Sequence, residues 1–132
     1  MTVINKKALT ERDICTKIIV PALVAADWNI QTQVREEFFF TDGQVLVRGK
    51  MARRGARKRV DFLLFYKPNI PIAVIEAKDN NHSLGDGMQQ GLGYAHSLDV
   101  PFVFSSNGDG FLFHNKLVKE GPVETTLGLD EF

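Results

Sequence analysis

Residues 60–78, VDFLLFYKPNIPIAVIEAK, restrict what this chain can fold into more than any other stretch. Two apolar runs within it, 62–66 and 70–75, are each too short for a helix and are rich in aromatic and β-branched residues, which predicts two buried strands. Lys67-Pro68-Asn69 between them predicts a turn, and strand, turn and strand make a hairpin. Three charged residues mark its ends: Asp61 enters the first strand, and Glu76 and Lys78 leave the second. Alternate strand residues point to one face, so Glu76 and Lys78 are expected to face the same way. Two carboxylates and an ammonium then converge. Strands often end in charges, so no one of the three marks a site; their combination does.

Asp61 followed fifteen residues later by Glu76-Ala77-Lys78, across a hairpin, resembles the layout of the PD-(D/E)xK nucleases. The residue types suit that chemistry. Hydrolysing a phosphodiester requires stabilising extra negative charge at phosphorus and supplying hydroxide, and Mg²⁺ serves both needs. Mg²⁺ is a hard cation that takes oxygen ligands, commonly one or two carboxylates with water and substrate phosphate. Asp61 and Glu76 are the candidate carboxylates, and the Ala77 backbone carbonyl is a candidate third oxygen. Lys78 is then expected beside the attacking water, as a compact cation that orients it and stabilises developing charge.

A chain of 132 residues is expected to form a single domain spanning 1–132, with one hydrophobic core. Its 16 basic and 16 acidic residues cancel, but they are not mixed. Arg48, Lys50, Arg53, Arg54, Arg57, Lys58 and Arg59 crowd into twelve residues, and no acid lies between Gly43 and Asp61. A basic loop running into Asp61 can draw a phosphate backbone toward the metal, which makes Arg53, Arg54, Arg57, Lys58 and Arg59 candidate DNA contacts; a solvated loop is the alternative reading. The lone Cys15 excludes an internal disulfide and suits a reducing compartment. No leader and no apolar run of membrane-spanning length is visible, so a cytoplasmic protein with no membrane partner is expected.

In chain order, Thr10-Glu11-Arg12-Asp13 reads as a capping box, and Ile14, Cys15, Ile18, Ile19, Ala22, Leu23 and Ala26 follow at helical spacing. Pro21 predicts a kink, or a second helix beginning there. Cys15 lies on the apolar stripe and is expected in the core. Residues 32–40 predict an extended segment whose Phe38, Phe39 and Phe40 pack, followed by a turn at 41–43 and a short strand at 45–47. After Lys78 a polar connector, 79–87, leads to a helix reaching about Leu98. Met88, Leu92 and Ala95 share one face of it, and Gln90 and Tyr94 lie side by side on nearly the opposite face. Gly87, Gly91 and Gly93 suggest close backbone approach. Strands are expected at 102–104 and 111–113 around the turn 105–110, with His114 at the surface.

Glu76-Ala77-Lys78, then Gln90-Gly91-Leu92-Gly93-Tyr94, then residues 100–110, VPFVFSSNGDG, resemble the N-terminal nuclease domain of the restriction subunit of type I restriction-modification enzymes. Thr10-Glu11, the proline-containing helix and Asp27-Trp28 resemble its opening. The resemblance implies an α/β restriction-endonuclease-like fold, a mixed central β-sheet flanked by helices. It implies cleavage of double-stranded DNA with Mg²⁺, for which Mn²⁺ can substitute, and assembly with modification and specificity subunits. The resemblance also implies that ATP enters only through a helicase-like motor following this domain in the full subunit; with no GxxxxGK[ST] loop among these residues, the chain is expected to be an N-terminal fragment lacking that motor, or a stand-alone relative. Gln90 and Tyr94 match the family's QxxxY pair, which helps place DNA and catalytic residues at the metal. Glu11 matches an acid that assists metal binding in some related nucleases, although helix capping explains an acid there equally well. A repair or recombination nuclease of the same superfamily, and a non-catalytic DNA-binding or docking module with this fold, are the alternatives.

Overall fold

The computed structural model describes residues 5–41 and 57–132. Of the expected turn at 41–43 only Thr41 is described, as the last residue of a strand; the rest of that turn, the short strand at 45–47 and the cations Arg48, Lys50, Arg53 and Arg54 lie outside the described residues.

Among the described residues six strands form one mixed sheet in which spatial order follows sequence order: β1 (Val34–Thr41), β2 (Arg57–Lys67), β3 (Ile70–Ala77), β4 (Phe102–Ser106), β5 (Phe111–Asn115) and β6 (Glu124–Leu127). Every neighbouring pair is antiparallel except β3 and β4, which run parallel from Ala73 beside Phe102 to Ala77 beside Ser106. A parallel pair needs a crossover, and α3 (Met88–Leu98) supplies it. The predicted hairpin is the β2–β3 pair, with Asn69 in the left-handed region at φ 65° in its turn.

The two faces of the sheet bury different sets. Against one lie α1 (Glu11–Ile14), a π turn (Cys15–Ile19) and α2 (Val20–Ala25), whose Ile14, Ile18, Ile19 and Leu23 pack on Phe62, Leu64, Ile75 and Phe111. Against the other lies α3, whose Met88 and Ala95 pack on Leu63, Val74 and Val103. The Thr10 capping box forms as expected: Asp13 N–H donates to Thr10 Oγ1 at 3.0 Å and Thr10 N–H to Asp13 Oδ2 at 3.1 Å. Pro21 lies in the first turn of a second helix, as expected. It has no N–H and its ring crowds the carbonyl four residues back; the chain widens into the π turn just ahead of it, closed by Val20 N–H donating to the Cys15 carbonyl, and α2 resumes with the proline in its first turn.

Three expectations are revised by packing. β2 starts four residues before Asp61, because Arg57, Lys58 and Arg59 pair with Thr41, Phe40 and Phe39 of β1. Of the three phenylalanines, Phe38 and Phe40 pack beneath α3, while Phe39 is 50% exposed with the Arg57 guanidinium 4.1 Å over its ring. His114 is half-buried rather than superficial, its Nδ1 2.8 Å from Glu124 Oε2 across the β5–β6 pair. The strand that carries Glu124 is short and mostly polar, so it has no apolar alternation to announce it.

Candidate active site

The hairpin does bring Asp61 and Glu76 together, by a tighter device than shared strand ends. Glu76 Oε2 accepts the Asp61 backbone N–H at 2.8 Å, and Asp61 Oδ2 accepts the Ala77 backbone N–H at 2.8 Å. Each carboxylate is thus tied to the backbone of the other's strand, and both are almost enclosed, at 7% and 4% exposure. Asp61 can turn inward from mid-strand because the pleat is broken there. Phe62 and Leu64 belong to the core beneath α1 and α2, yet Val60 belongs to the core beneath α3, although in an unbroken strand Val60 and Phe62 would share a face. β1 breaks at the same level: Val34 packs on one face, Phe38 and Phe40 on the other, and Glu37 between them has φ 51°. A positive φ is uncommon for a residue other than glycine, and it lies directly across from the buried aspartate.

Burial and mutual repulsion load this pair. Burial raises the Glu76 carboxyl to about 8, with the Asp61 charge adding to it and the Asp61 N–H bond working the other way. Burial also raises Asp61, opposed by the Ala77 N–H and by the charges of Arg59 and Lys78. Glu11, at the start of α1, is raised by burial and then by Asp61, and lowered by Lys78 and Arg59, so α1 brings it within electrostatic reach. The three acids do not close into a cage: among the described residues no three acidic, His or Cys side chains stand close enough to hold a metal alone. Cys15 belongs to the core as expected, its thiol raised by burial to about 12.

Lys78 lies one residue beyond β3, where its backbone N–H donates to the Ser106 carbonyl at 2.9 Å and carries the β3–β4 pairing onward. Among the described residues its ammonium forms no salt bridge, yet its charge lowers the pKa of Glu11, Asp61 and Glu76 alike. It is half-buried and central to the acids without being fixed to any of them.

The helix α3 reaches the pair through its glycines. A Cβ on Gly91 would lie 2.7 Å from Val103 Cγ1 and 3.5 Å from Glu76 Cγ, and one on Gly87 would lie 3.3 Å from Glu76 Cβ. The expected close approach holds at these two and not at Gly93, which has nothing within 4 Å. Gln90 Nε2 donates to Tyr94 Oη at 2.7 Å, and Tyr94 stacks edge-on against Phe40 with centroids 5.4 Å apart. The Tyr94 pKa is raised by burial and next by Glu76, and lowered by Gln90 and Lys58, which brings the Gln90–Tyr94 pair to the edge of the acidic site.

Sequence reasoning missed the frame around these groups. Besides Asp61 and Glu76, the buried polar side chains among the described residues are Asn80, Ser105, Ser106 and Asn107; Asn80, Ser105 and Asn107 pin the connector between Lys78 and α3, and Ser106 Oγ closes the turn that follows by donating to the Gly110 carbonyl at 2.7 Å. Asn80 Nδ2 donates to the Asn107 carbonyl at 2.8 Å, Asn107 Nδ2 to the His82 carbonyl at 2.7 Å, and Ser105 Oγ to the Leu84 carbonyl at 2.8 Å while accepting from Gly87 N–H at 3.2 Å. The signal was present: Ser and Asn directly after the apolar strand 102–104 are where local side-chain bonds to backbone are favoured. Of the candidate DNA contacts, Arg57 and Lys58 begin β2 ahead of Asp61; Arg57 lies over Phe39, and the charge of Lys58 reaches Tyr94. Arg59 is engaged with Glu37 at 3.3 Å and Asp61 at 3.2 Å, and Arg53 and Arg54 lie outside the described residues.

These shifts set a pH dependence of stability. The folded chain keeps a proton on Glu76 up to about 8, whereas an unfolded glutamate loses it near 4.5. The folded state binds more protons across that window, so in a chelating buffer stability is expected to fall as pH rises from about 4.5 to about 8. Calorimetric melting of the wild type and Glu76→Gln checks this: the wild type should lose Tm across the window and the variant should lose clearly less. Parallel slopes would remove Glu76 as the source.

The family model described as the type I restriction enzyme R protein N terminus matches residues 43–121. The type I restriction enzyme EcoAI endonuclease subunit of Escherichia coli is 51% identical over 133 residues, covering 100% of this chain and 16% of that protein. A solved fragment structure assigned to an HsdR subunit of a type I restriction enzyme from Vibrio vulnificus YJ016 aligns with a TM-score of 0.74 and 38% identity, covering 94% of this chain and 23% of that one. The chain spans less than a quarter of the length of either relative.

Proposed function

We propose a function from one premise: the chain belongs to the family of type I restriction enzyme R protein N termini, and its mixed sheet flanked by helices is the restriction-endonuclease-like fold. The proposed activity is Mg²⁺-dependent endonucleolytic cleavage of double-stranded DNA, carried out as the nuclease domain of a larger restriction subunit. The observation that carries it is the locked Asp61–Glu76 pair. Burying two acids side by side costs folding free energy that a merely structural module has no reason to spend, which favours catalysis over the docking alternative. Membership of this family favours restriction over repair or recombination.

The donor set fits a hard divalent cation: two carboxylates and the Ala77 carbonyl are all oxygens, and one or two carboxylates with waters and phosphate is the usual protein share for Mg²⁺. When bound there, Mg²⁺, or Mn²⁺ in its place, supplies charge neutralisation at phosphorus and a more acidic water. Lys78, unpaired with either acid among the described residues, is proposed to orient the attacking water and stabilise developing charge. Gln90 and Tyr94 offer an amide and a hydroxyl to the phosphate from the α3 side, and Glu11 adds negative charge at the outer edge of the site. Arg57 and Lys58, with Arg53 and Arg54 of the basic run, are proposed to meet the DNA backbone, and the expected partners remain modification and specificity subunits. ATP is expected to act through a motor elsewhere in the subunit.

The test is cleavage of supercoiled plasmid by the restriction subunit containing this chain, assembled with its partners. Chelation is expected to stop cleavage and added Mg²⁺ to restore it. Cleavage that continues undiminished in chelator would overturn the reading.

A further inference from the structure

Arg59 sits in a position to compete for Asp61. Its guanidinium reaches Asp61 Oδ1 at 3.2 Å through one nitrogen and Glu37 Oε1 at 3.3 Å through the other, and its side chain is 41% exposed. Asp61 Oδ2 is committed to the Ala77 N–H, so the oxygen under the guanidinium is the one left to receive an external cation. Glu37, the second carboxylate, is itself held by Arg12 at 3.5 Å, and Arg12 also reaches Glu36 at 3.5 Å. Glu11, Arg12, Cys15, Glu37, Arg59 and Asp61 line one small cleft. The guanidinium is therefore shared between a nearly enclosed carboxylate and an open one.

We propose that Arg59 is a gate on the metal site: it neutralises Asp61 while no cation is bound, and moves its charge onto Glu37 when a divalent cation takes Asp61 Oδ1, so that Glu37 sets metal affinity through Arg59. This rests on the reading of Asp61 and Glu76 as metal ligands. Letting go of one part-exposed ion pair is cheap, whereas leaving a buried carboxylate without a counter-charge is not. An alternative home within reach of the same side chain therefore lets Asp61 be compensated in both states. It also gives a reason for the left-handed backbone at Glu37, which interrupts β1 at the level of Asp61.

Removing a cation or an anion near a metal site shifts its affinity by simple Coulomb attraction, in the same directions the gate predicts, so the deciding quantity is the coupling between the two residues. Mn²⁺ binding, followed through the electron paramagnetic resonance of the free ion, is measured for the chain, Arg59→Gln, Glu37→Gln and the double variant, with Glu36→Gln and Asp61→Asn as references. Arg59→Gln should tighten binding about two- to fivefold, the worth of one part-exposed ion pair. Glu37→Gln should weaken it by a similar factor where Arg59 is present and leave it nearly unchanged where Arg59 is absent, and Glu36→Gln should have little effect. Equal weakening by Glu37→Gln in both backgrounds, or weaker binding in Arg59→Gln, overturns the gate. Lost Mn²⁺ binding in Asp61→Asn alongside such additivity overturns the gate alone, and unchanged binding in Asp61→Asn overturns the metal site and the gate with it.

Discussion

Asp61→Asn and Glu76→Gln are each expected to reduce DNA cleavage by about a thousandfold or more, a barrier increase of about 4 kcal/mol, while leaving the fold in place. Both are near-isosteric, so no cavity opens in a tightly packed region. After Asp61→Asn the side-chain amide oxygen can still accept the Ala77 N–H, and after Glu76→Gln the amide oxygen can still accept the N–H of residue 61, so the two bonds that lock the hairpin survive. What is lost is negative charge. An amide oxygen is a weaker ligand for a hard dication than a carboxylate, and the remaining acid cannot compensate because no third acid completes a cage among the described residues. Glu76→Gln should melt no lower than the wild type above neutral pH, since it removes the acid that burial and the Asp61 charge hold up to about 8. Loss of plasmid nicking together with retained melting temperature is the expected pair of results. A variant that is inactive because it is unfolded would show only the first.

Lys78→Ala is expected to slow cleavage about as severely while leaving metal binding nearly intact, because lysine contributes no oxygen to a metal. A purely electrostatic partner of the acids would behave differently: without it two neighbouring carboxylates raise each other's pKa further, and metal affinity would change more than the rate at saturating metal. Lys78→Arg separates the two roles. It keeps the positive charge but substitutes a planar, bulkier head for a compact ammonium, and should misplace a water. In the structure Lys78 has no salt bridge among the described residues, and its charge acts on Glu11, Asp61 and Glu76 together, an arrangement suited to holding a small molecule between groups. Lys78→Arg should therefore fall within about tenfold of Lys78→Ala, or 1.4 kcal/mol of barrier, in single-turnover cleavage at saturating Mg²⁺. Near-normal cleavage by Lys78→Arg would mean that charge alone suffices at this position.

The hairpin, the capped first helix and the helix from Met88 were legible because each rests on a local pattern: short apolar runs for β2 and β3, a Thr-capped apolar stripe for α1, and one apolar face of Met88, Leu92 and Ala95 for α3, whereas the mixed sheet was expected only from the family resemblance. β6 was not legible, since Glu124-Thr125-Thr126-Leu127 owes its strand conformation to pairing with β5 and carries little pattern of its own. Asp61 and Glu76 could be chosen from spacing, but the way they meet could not. Spacing suggested two strand ends facing alike; the structure has Asp61 in mid-strand, turned inward where Glu37 breaks the pleat, a backbone choice that no residue type at 37 announces. For the same reason Arg59 read as one more cation in a basic run. Its engagement with Asp61 and Glu37 depends on strand pairing fixed only in three dimensions.

The most direct test of the central claim, that Asp61 and Glu76 form the metal-dependent centre at which DNA is cut, is single-turnover plasmid cleavage at saturating Mg²⁺. It compares the wild-type subunit with Asp61→Asn and Glu76→Gln, all assembled with their partner subunits and all shown to be folded. The account predicts full conversion by the wild type and at most about a thousandth of its rate for either variant. Cleavage at the wild-type rate by both folded variants would contradict it and move the active site elsewhere.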